Sequence, residues 1–255
     1  MNTQLKQNLR RLRLSGLMDT LELRLNEAVG NQLTHIEFLE LLLSDELAVR
    51  EDRAITRRTK AARFRELRTI EDFDFSFNPS IKRKDITALA TCRFIRENQD
   101  ILFTGPPGVG KSHLAQALGY QAVRMGYSVL YRSIFDAVGD LHQAEVLGEQ
   151  KRELKKYLKP DLLIIDDMGL KQLPQNTGEH LFEIIMRRFE LRSTVMTSNR
   201  PIEEWGKLIG DVPTATAILD RFLSRAEIIQ ITGKSYRMKN RTCSKKNKDA
   251  KQKDD

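Results

Sequence analysis

Cysteine is nearly absent. Only Cys92 and Cys243 occur among 255 residues, too few and too far apart for a disulfide framework or a cysteine-based zinc site. Such usage fits a reducing compartment, the cytosol. Long apolar runs are missing as well. No stretch approaches the roughly 20 residues of a membrane span, and the opening MNTQLKQNLRR has no apolar core of signal-peptide length. The expectation is a cytoplasmic, soluble protein with no membrane partner. Aromatic residues make up only 7%. In their place the chain has enough length to bury one large core and one small one, and an excess of Lys and Arg that leaves a net charge of +8. That charge suits a polyanionic partner and equally suits a basic protein that is merely soluble.

The stretch Ile101 to His113, ILFTGPPGVGKSH, organises the rest. Gly105, Gly110, Lys111 and Ser112 match G-x-x-x-x-G-K-[ST], the phosphate-cradling Walker A loop, which requires a strand before it and a helix after it. Ile101, Leu102 and Phe103 supply the strand, and Leu114, Ala115, Ala117 and Leu118 supply an apolar helix face. The candidate nucleotide-binding residues are therefore Gly105, Pro106, Pro107, Gly108, Val109, Gly110, Lys111, Ser112 and His113, with ATP as the expected ligand. Further on, Leu162 to Ile165 run into Asp166-Asp167. A short apolar run ending in acids is the Walker B arrangement, in which a carboxylate reaches Mg²⁺. Ser112 and Asp166 are the expected metal ligands, and Asp167 stands where a water-activating acid would sit. Thr194 to Thr197 reads as another strand, ending in Ser198-Asn199-Arg200-Pro201. Asn199 is the candidate for the γ-phosphate side, its alternative role being to cap the turn before Pro201.

The N-terminal region reads differently. Leu5, Leu9 and Leu12 recur at helical spacing up to Ser15-Gly16, and Leu17, Leu21, Leu25 and Ala28 repeat the pattern up to Gly30-Asn31. Thr34 and Glu37 form a capping box, with Ile36, Leu39, Leu43 and Leu47 expected as the buried stripe of a third helix. Beyond Leu47, Arg50, Arg53, Arg57 and Lys60 share one helical face, with Arg58 beside them. Two readings stand side by side. The stripe lies against duplex DNA phosphates, each cation releasing a counterion, or it is a solvated face. Aromatics for stacking on single strands are nearly missing there, which favours the duplex over the single strand.

Phe73, Phe75 and Phe77 alternate with polar residues and suggest an extended linker, and Asp85 to Glu97 reads as a helix. Strands are expected at 128–131 and 227–231. Asn176 and Thr177 precede a helix with Leu181, Phe182, Ile185 and Phe189 inward. The expected domains are a helical unit at 1–68, a nucleotide-binding α/β unit at 69–238, and a basic, disordered tail at 239–255.

The segments LLIIDDMG (162–169), STVMTSNRP (193–201), ILDRF (218–222) and GKSYR (233–237), with the Walker A loop, resemble the IstB-like ATPases. The resemblance covers nearly the whole chain, including the ARF at Ala62 to Phe64. That family assists the transposase of certain insertion sequences, and its ATPase domain is similar to the DnaC-like helicase loaders of the AAA+ class. The resemblance implies a doubly wound, parallel five-stranded P-loop NTPase sheet, with ATP and Mg²⁺ at the carboxyl ends of its strands. It implies a homo-oligomer whose sites are completed by an arginine from a neighbouring subunit, for which Arg221 is the first choice and Arg225 and Arg188 are alternatives. It implies the transposase of the same insertion sequence as a partner, beside the duplex DNA read from the basic stripe, and with the motif residues it leaves Lys111, Asp167, Asn199 and Arg221 as the expected catalytic residues. Many AAA+ proteins carry Glu where Asp167 stands, so slow turnover is expected. The stretch after Ile231 is too short for a full helical lid, which leaves Arg237 as a lid-type phosphate sensor. Two other functions fit the same ATPase: a helicase loader, and an ATP-gated DNA scaffold that does not hydrolyse.

Overall fold

A computed structural model describes residues 3–168, 177–206 and 212–238. Gly169, Asn176 and the tail expected to be disordered from residue 239 lie outside the described residues. The chain forms two compact units that divide between Arg58 and Thr59, not near Arg68. The reason is packing. Ala62 is fully buried, and the Phe64 ring lies against Tyr131, so the segment after Arg58 belongs to the second core.

The first unit is built from α1 (Thr3–Arg11), α2 (Ser15–Gly30) and the part of α3 (His35–Ala62) that precedes the division. The capping box forms at the start of α3: the Thr34 N–H donates to Glu37 Oε2 at 2.8 Å and the Glu37 N–H to Thr34 Oγ1 at 3.3 Å. Leu9, Leu17, Leu21 and Leu42 make the core, with Leu14, Met18 and Phe38 packed on it. The stripe expected to be buried is not. Ile36, Leu39, Leu43 and Leu47 are 71%, 53%, 47% and 66% exposed. α3 is rotated so that Phe38, Leu42 and Glu46, a row at i, i+4 and i+8, faces inward.

Glu46 explains that rotation. Its buried carboxylate accepts the Leu17 N–H at 3.1 Å and the Arg50 Nε–H at 2.7 Å, satisfying an otherwise orphaned donor at the start of α2. Burial alone would raise its pKa, but Arg50 and the Leu17 and Gly16 N–H groups outweigh it and hold the carboxyl below its ordinary value. A second clasp joins the same helices, the Arg24 fork donating to both oxygens of Asp45 at 2.8 Å.

In the second unit, α4 (Arg83–Leu89) and α5 (Arg93–Arg96) precede β1 (Asp100–Thr104). The single helix expected at 85–97 breaks because Cys92 adopts a left-handed conformation, φ 55°. There follow α6 (Lys111–Arg124), β2 (Val129–Ser133), α7 (Ile134–Val146), α8 (Gln150–Leu158), β3 (Leu162–Met168), α9 (Thr177–Arg188), β4 (Ser193–Ser198), α10 (Val212–Leu223) and β5 (Ala226–Gln230). The strands pair in the order β2-β3-β4-β1-β5, all parallel. Side chains alternate between faces. Leu163 and Ile165 join the core formed with α7 to α10, while Ile164 points at α6, where a Cβ on Gly119 would come within 2.6 Å of it. Burial on both faces is why these strands read as continuous apolar runs. The doubly wound five-stranded sheet is thus present, and it aligns the carboxyl ends of β1, β3 and β4 along one edge, where ligands bind in such folds.

Candidate functional site

The chain leaves β1 at Thr104 and turns through Gly105–Gly110 into α6. Gly108 (φ 82°) and Gly110 (φ 107°) take backbone conformations that side chains oppose, and Gly110 is the N-cap of α6. The helix therefore presents its unpaired N–H groups to the loop, an arrangement that binds phosphate. Lys111 is buried and its Nζ donates to the carbonyls of Gly105 and Pro106 at 2.7 and 2.8 Å. Burial lowers its pKa to about 8, against the opposing pull of Asp166 and Asp167. Two segments cover the loop. A Cβ on Gly108 would lie 2.1 Å from Ser235 Oγ, and the Tyr236 N–H donates to the Gly108 carbonyl at 2.9 Å. On the other side Phe73 sits against Gly110 and meets the His113 ring edge-on at 5.2 Å. The linker is not extended, because Asp74 folds it into turns by accepting the N–H groups of Ser76 and Phe77. His113 serves that linker: its Nε2 bonds the Thr69 carbonyl at 3.0 Å, and burial lowers its pKa.

The acidic pair closes the site. Asp166, 1% exposed, accepts the Ser112 hydroxyl at 2.9 Å on Oδ1, the Thr197 hydroxyl on the same oxygen, and the Tyr131 hydroxyl at 2.5 Å on Oδ2. Asp167 lies in a β-bulge where the β3–β4 register shifts between Ile165 and Met168, with φ 64°, and its N–H donates to Thr197 Oγ1 at 3.0 Å. Bulges of this kind re-aim side chains beside active sites. Burial first, and then Asp166, raise the Asp167 pKa, while Arg65, Arg237 and Lys111 oppose the rise. Arg65 Nη1 lies 3.9 Å from Asp167 Oδ2. The Asn199 N–H donates to the Met168 carbonyl at 3.0 Å, which brings Asn199 beside the acids.

Sequence reasoning missed Tyr131, Thr197, Arg65 and Gln116. Gln116 accepts the Glu66 N–H at 2.9 Å and donates to the Ser112 carbonyl at 3.2 Å, tying the segment after α3 to the phosphate loop. Thr197 was detectable, since alternation from Val195 along β4 aims it across the sheet edge. Tyr131 offered no such signal, because a tyrosine in a buried strand reads as core.

The arginines separate by place. Arg188, an alternative for the trans-acting arginine, is excluded by burial: it is 1% exposed and donates to the carbonyls of Tyr157, Pro160 and Ser193 and to Thr194 Oγ1. Arg221 is half-exposed on the last turn of α10, paired with Asp220 at 3.0 Å and over the Phe189 ring at 5.7 Å. The Arg225 carbonyl accepts the Asp100 N–H at 3.2 Å, at the amino end of β1. Arg225 thus lies at the opposite end of β1 from the phosphate loop. Arg237 is exposed, and its charge bears on both Lys111 and Asp167.

Of the basic stripe on α3, Arg50 also donates to the Arg13 carbonyl at 3.3 Å and Arg53 to Ser15 Oγ at 2.6 Å, so both brace the turn between α1 and α2. Arg57 and Lys60 are exposed and Arg58 is half-buried.

Among the described residues no group of three or more His, Cys, Asp or Glu could hold a metal by itself, and no helix is long and apolar enough to cross a membrane. The Ser112 hydroxyl beside the Asp166 carboxylate is a pair of hard oxygen donors. It fits Mg²⁺, which takes few protein ligands and completes its shell with water and phosphate oxygens.

The chain is 37% identical over 227 residues to an ATP-binding protein of insertion sequence IS5376 from Geobacillus stearothermophilus, covering 89% of each chain. It is 36% identical over 231 residues to one of insertion sequence IS21 from Pseudomonas aeruginosa, covering 91% of this chain and 87% of that one. In fold it is similar to a DnaC helicase loader, with a TM-score of 0.56 and 23% identity over 66% of this chain and 98% of that one. A DnaI structure gives a TM-score of 0.56 and 21% identity over 68% and 94%. The profile described as IstB-like ATP binding protein matches residues 7–244, and the chain belongs to that family.

Proposed function

We propose that the chain is an ATP-hydrolysing helper of an insertion-sequence transposase, assembling on duplex DNA under nucleotide control. The observation that carries the ATP half is the contact between Ser112 Oγ and Asp166 Oδ1 at 2.9 Å, which brings the hydroxyl and carboxylate expected to hold Mg²⁺ into one place. Bound Mg²⁺ would supply charge neutralisation on the phosphates. Lys111 neutralises the β- and γ-phosphates, Asp167 orients the attacking water, and Asn199 holds the γ-phosphate side. Arg221, half-exposed and held only by Asp220 and the Phe189 ring among the contacts described, acts on a neighbouring subunit's nucleotide and makes the homo-oligomer a condition of turnover. The insertion-sequence names of the relatives support a transposase as partner.

DNA contact rests on α3. With Arg50 and Arg53 committed to the α1–α2 turn, Arg57, Arg58 and Lys60 carry most of the phosphate contact. Two measurements test the reading. Lys111→Ala loses charge-assisted bonds to two phosphates and should weaken ATP binding roughly 100-fold; unchanged binding of a fluorescent ATP analogue would refute the site. Neutralising Arg57, Arg58 and Lys60 together should reduce the log–log salt slope of duplex binding by roughly 0.9 for each phosphate left without its cation. A slope equal to wild type's returns the stripe to solvent. Turnover measured with and without DNA separates a hydrolysing helper from a passive scaffold.

A further inference from the structure

β2 brings one more side chain to the metal end of the site. Tyr131 is paired with Ile164 in parallel register, so its hydroxyl reaches across to the residue two places further along β3. There it donates to Asp166 Oδ2 at 2.5 Å, and both residues are buried. The other oxygen, Oδ1, takes the Ser112 and Thr197 hydroxyls. The two oxygens of one carboxylate are thus held by different elements, β2 on one side and α6 with β4 on the other.

The phenol is held in turn. The Phe64 ring lies 6.3 Å from the Tyr131 ring, centroid to centroid. It occupies space that exists only because residue 119 is glycine: a Cβ there would come within 2.8 Å of Phe64 Cε1. Phenylalanine at 131 would fill the same core volume without a polar atom to desolvate. The hydroxyl is therefore there for its bond. A carboxylate oxygen has no proton to give, so the phenol is the donor in this bond.

We propose that Tyr131 is a positioning residue for the metal: by holding Oδ2 it stops the Asp166 carboxylate from rotating and keeps Oδ1, on the Ser112 side, facing the cation. This rests on the reading of Ser112 and Asp166 as the metal-holding pair. Mg²⁺ demands near-ideal octahedral geometry and tolerates a misaligned carboxylate poorly. Hydrogen bonds that orient a metal ligand are worth roughly 10- to 100-fold in metal affinity.

The test is binding of a fluorescent ATP analogue titrated with Mg²⁺, beside the same measurement in EDTA. For Tyr131→Phe the Mg²⁺ concentration at half-effect should rise about 10-fold, with affinity in EDTA unchanged. Phe64→Leu, which loosens the phenol from behind, should shift the midpoint the same way by less, and it serves if Tyr131→Phe does not fold. A midpoint equal to wild type's overturns the proposal. So does an equal loss of affinity with and without Mg²⁺, which is what a purely structural tyrosine would give. Ser112→Ala and Asp166→Asn distinguish the two levels of failure. If they leave the Mg²⁺ midpoint in place, the metal-pair reading falls; if they move it and Tyr131→Phe does not, only the role of Tyr131 falls.

Discussion

The two units solve the same problem, holding helices in place, by different means. The α/β unit does it with area: Ile101, Leu102, Phe103 and Leu162 to Ile165 are completely buried, in a sheet covered on both faces. The helical unit has four buried leucines and compensates with polar clasps, Glu46 on the start of α2 and Arg24 on Asp45. A core made by area tolerates changes at its margins, whereas one held by a few directed bonds depends on single atoms. The difference also shows how each unit can fail.

The largest effect is expected where the α/β unit itself relies on a directed contact. Arg188→Ala leaves the carbonyls of Tyr157, Pro160 and Ser193 without their donor, and should cost about 3–5 kcal/mol of stability in denaturant unfolding. A loss under about 1 kcal/mol would mean that area alone holds this unit. Next in size, Leu42→Ala should cost about 2–4 kcal/mol as a core truncation, while Leu39→Ala, on the exposed face three residues away, should stay within about 0.5 kcal/mol. Equal losses would overturn the rotation of α3.

The smallest effect is one of pH. The Arg24 fork, then Thr20, hold the Asp45 carboxyl down to about 2. A depressed acid contributes stability that is present above its unfolded pKa of about 4 and is lost as pH falls towards the folded value. Protection of α2 amides, taken relative to the intrinsic exchange rate at each pH, should therefore fall between about pH 4 and pH 2, and Asp45→Asn should abolish that dependence. A fall in protection that persists in the variant would assign the effect elsewhere.

The sequence made the α/β unit largely legible, because its signals are local. A glycine loop between a strand and a helix, and two acids after an apolar run, each occupy a few consecutive residues. The helical unit was legible in period but not in phase. With Leu39, Leu41, Leu42 and Leu43 within five residues, α3 offers more than one apolar stripe. What selects among them is the Glu46 bond to Leu17, made across 29 positions. Tyr131 was hidden for the same reason, since its meaning lies in Asp166 on the neighbouring strand. Asp167 was legible as a residue, but the bulge that aims it was not, because that bulge arises from how β3 meets β4.

The strand order has a consequence for synthesis. β1, which carries the phosphate loop, lies between β4 and β5, the last two of the described strands in chain order. Its first neighbour begins at Ser193 and its second at Ala226. Until then both edges of β1 lack their partners, and an unpaired edge in a nascent chain is open to wrong pairing. The Gly108 carbonyl waits longer still, for the N–H of Tyr236. The cradle is thus complete only after translation has passed Tyr236.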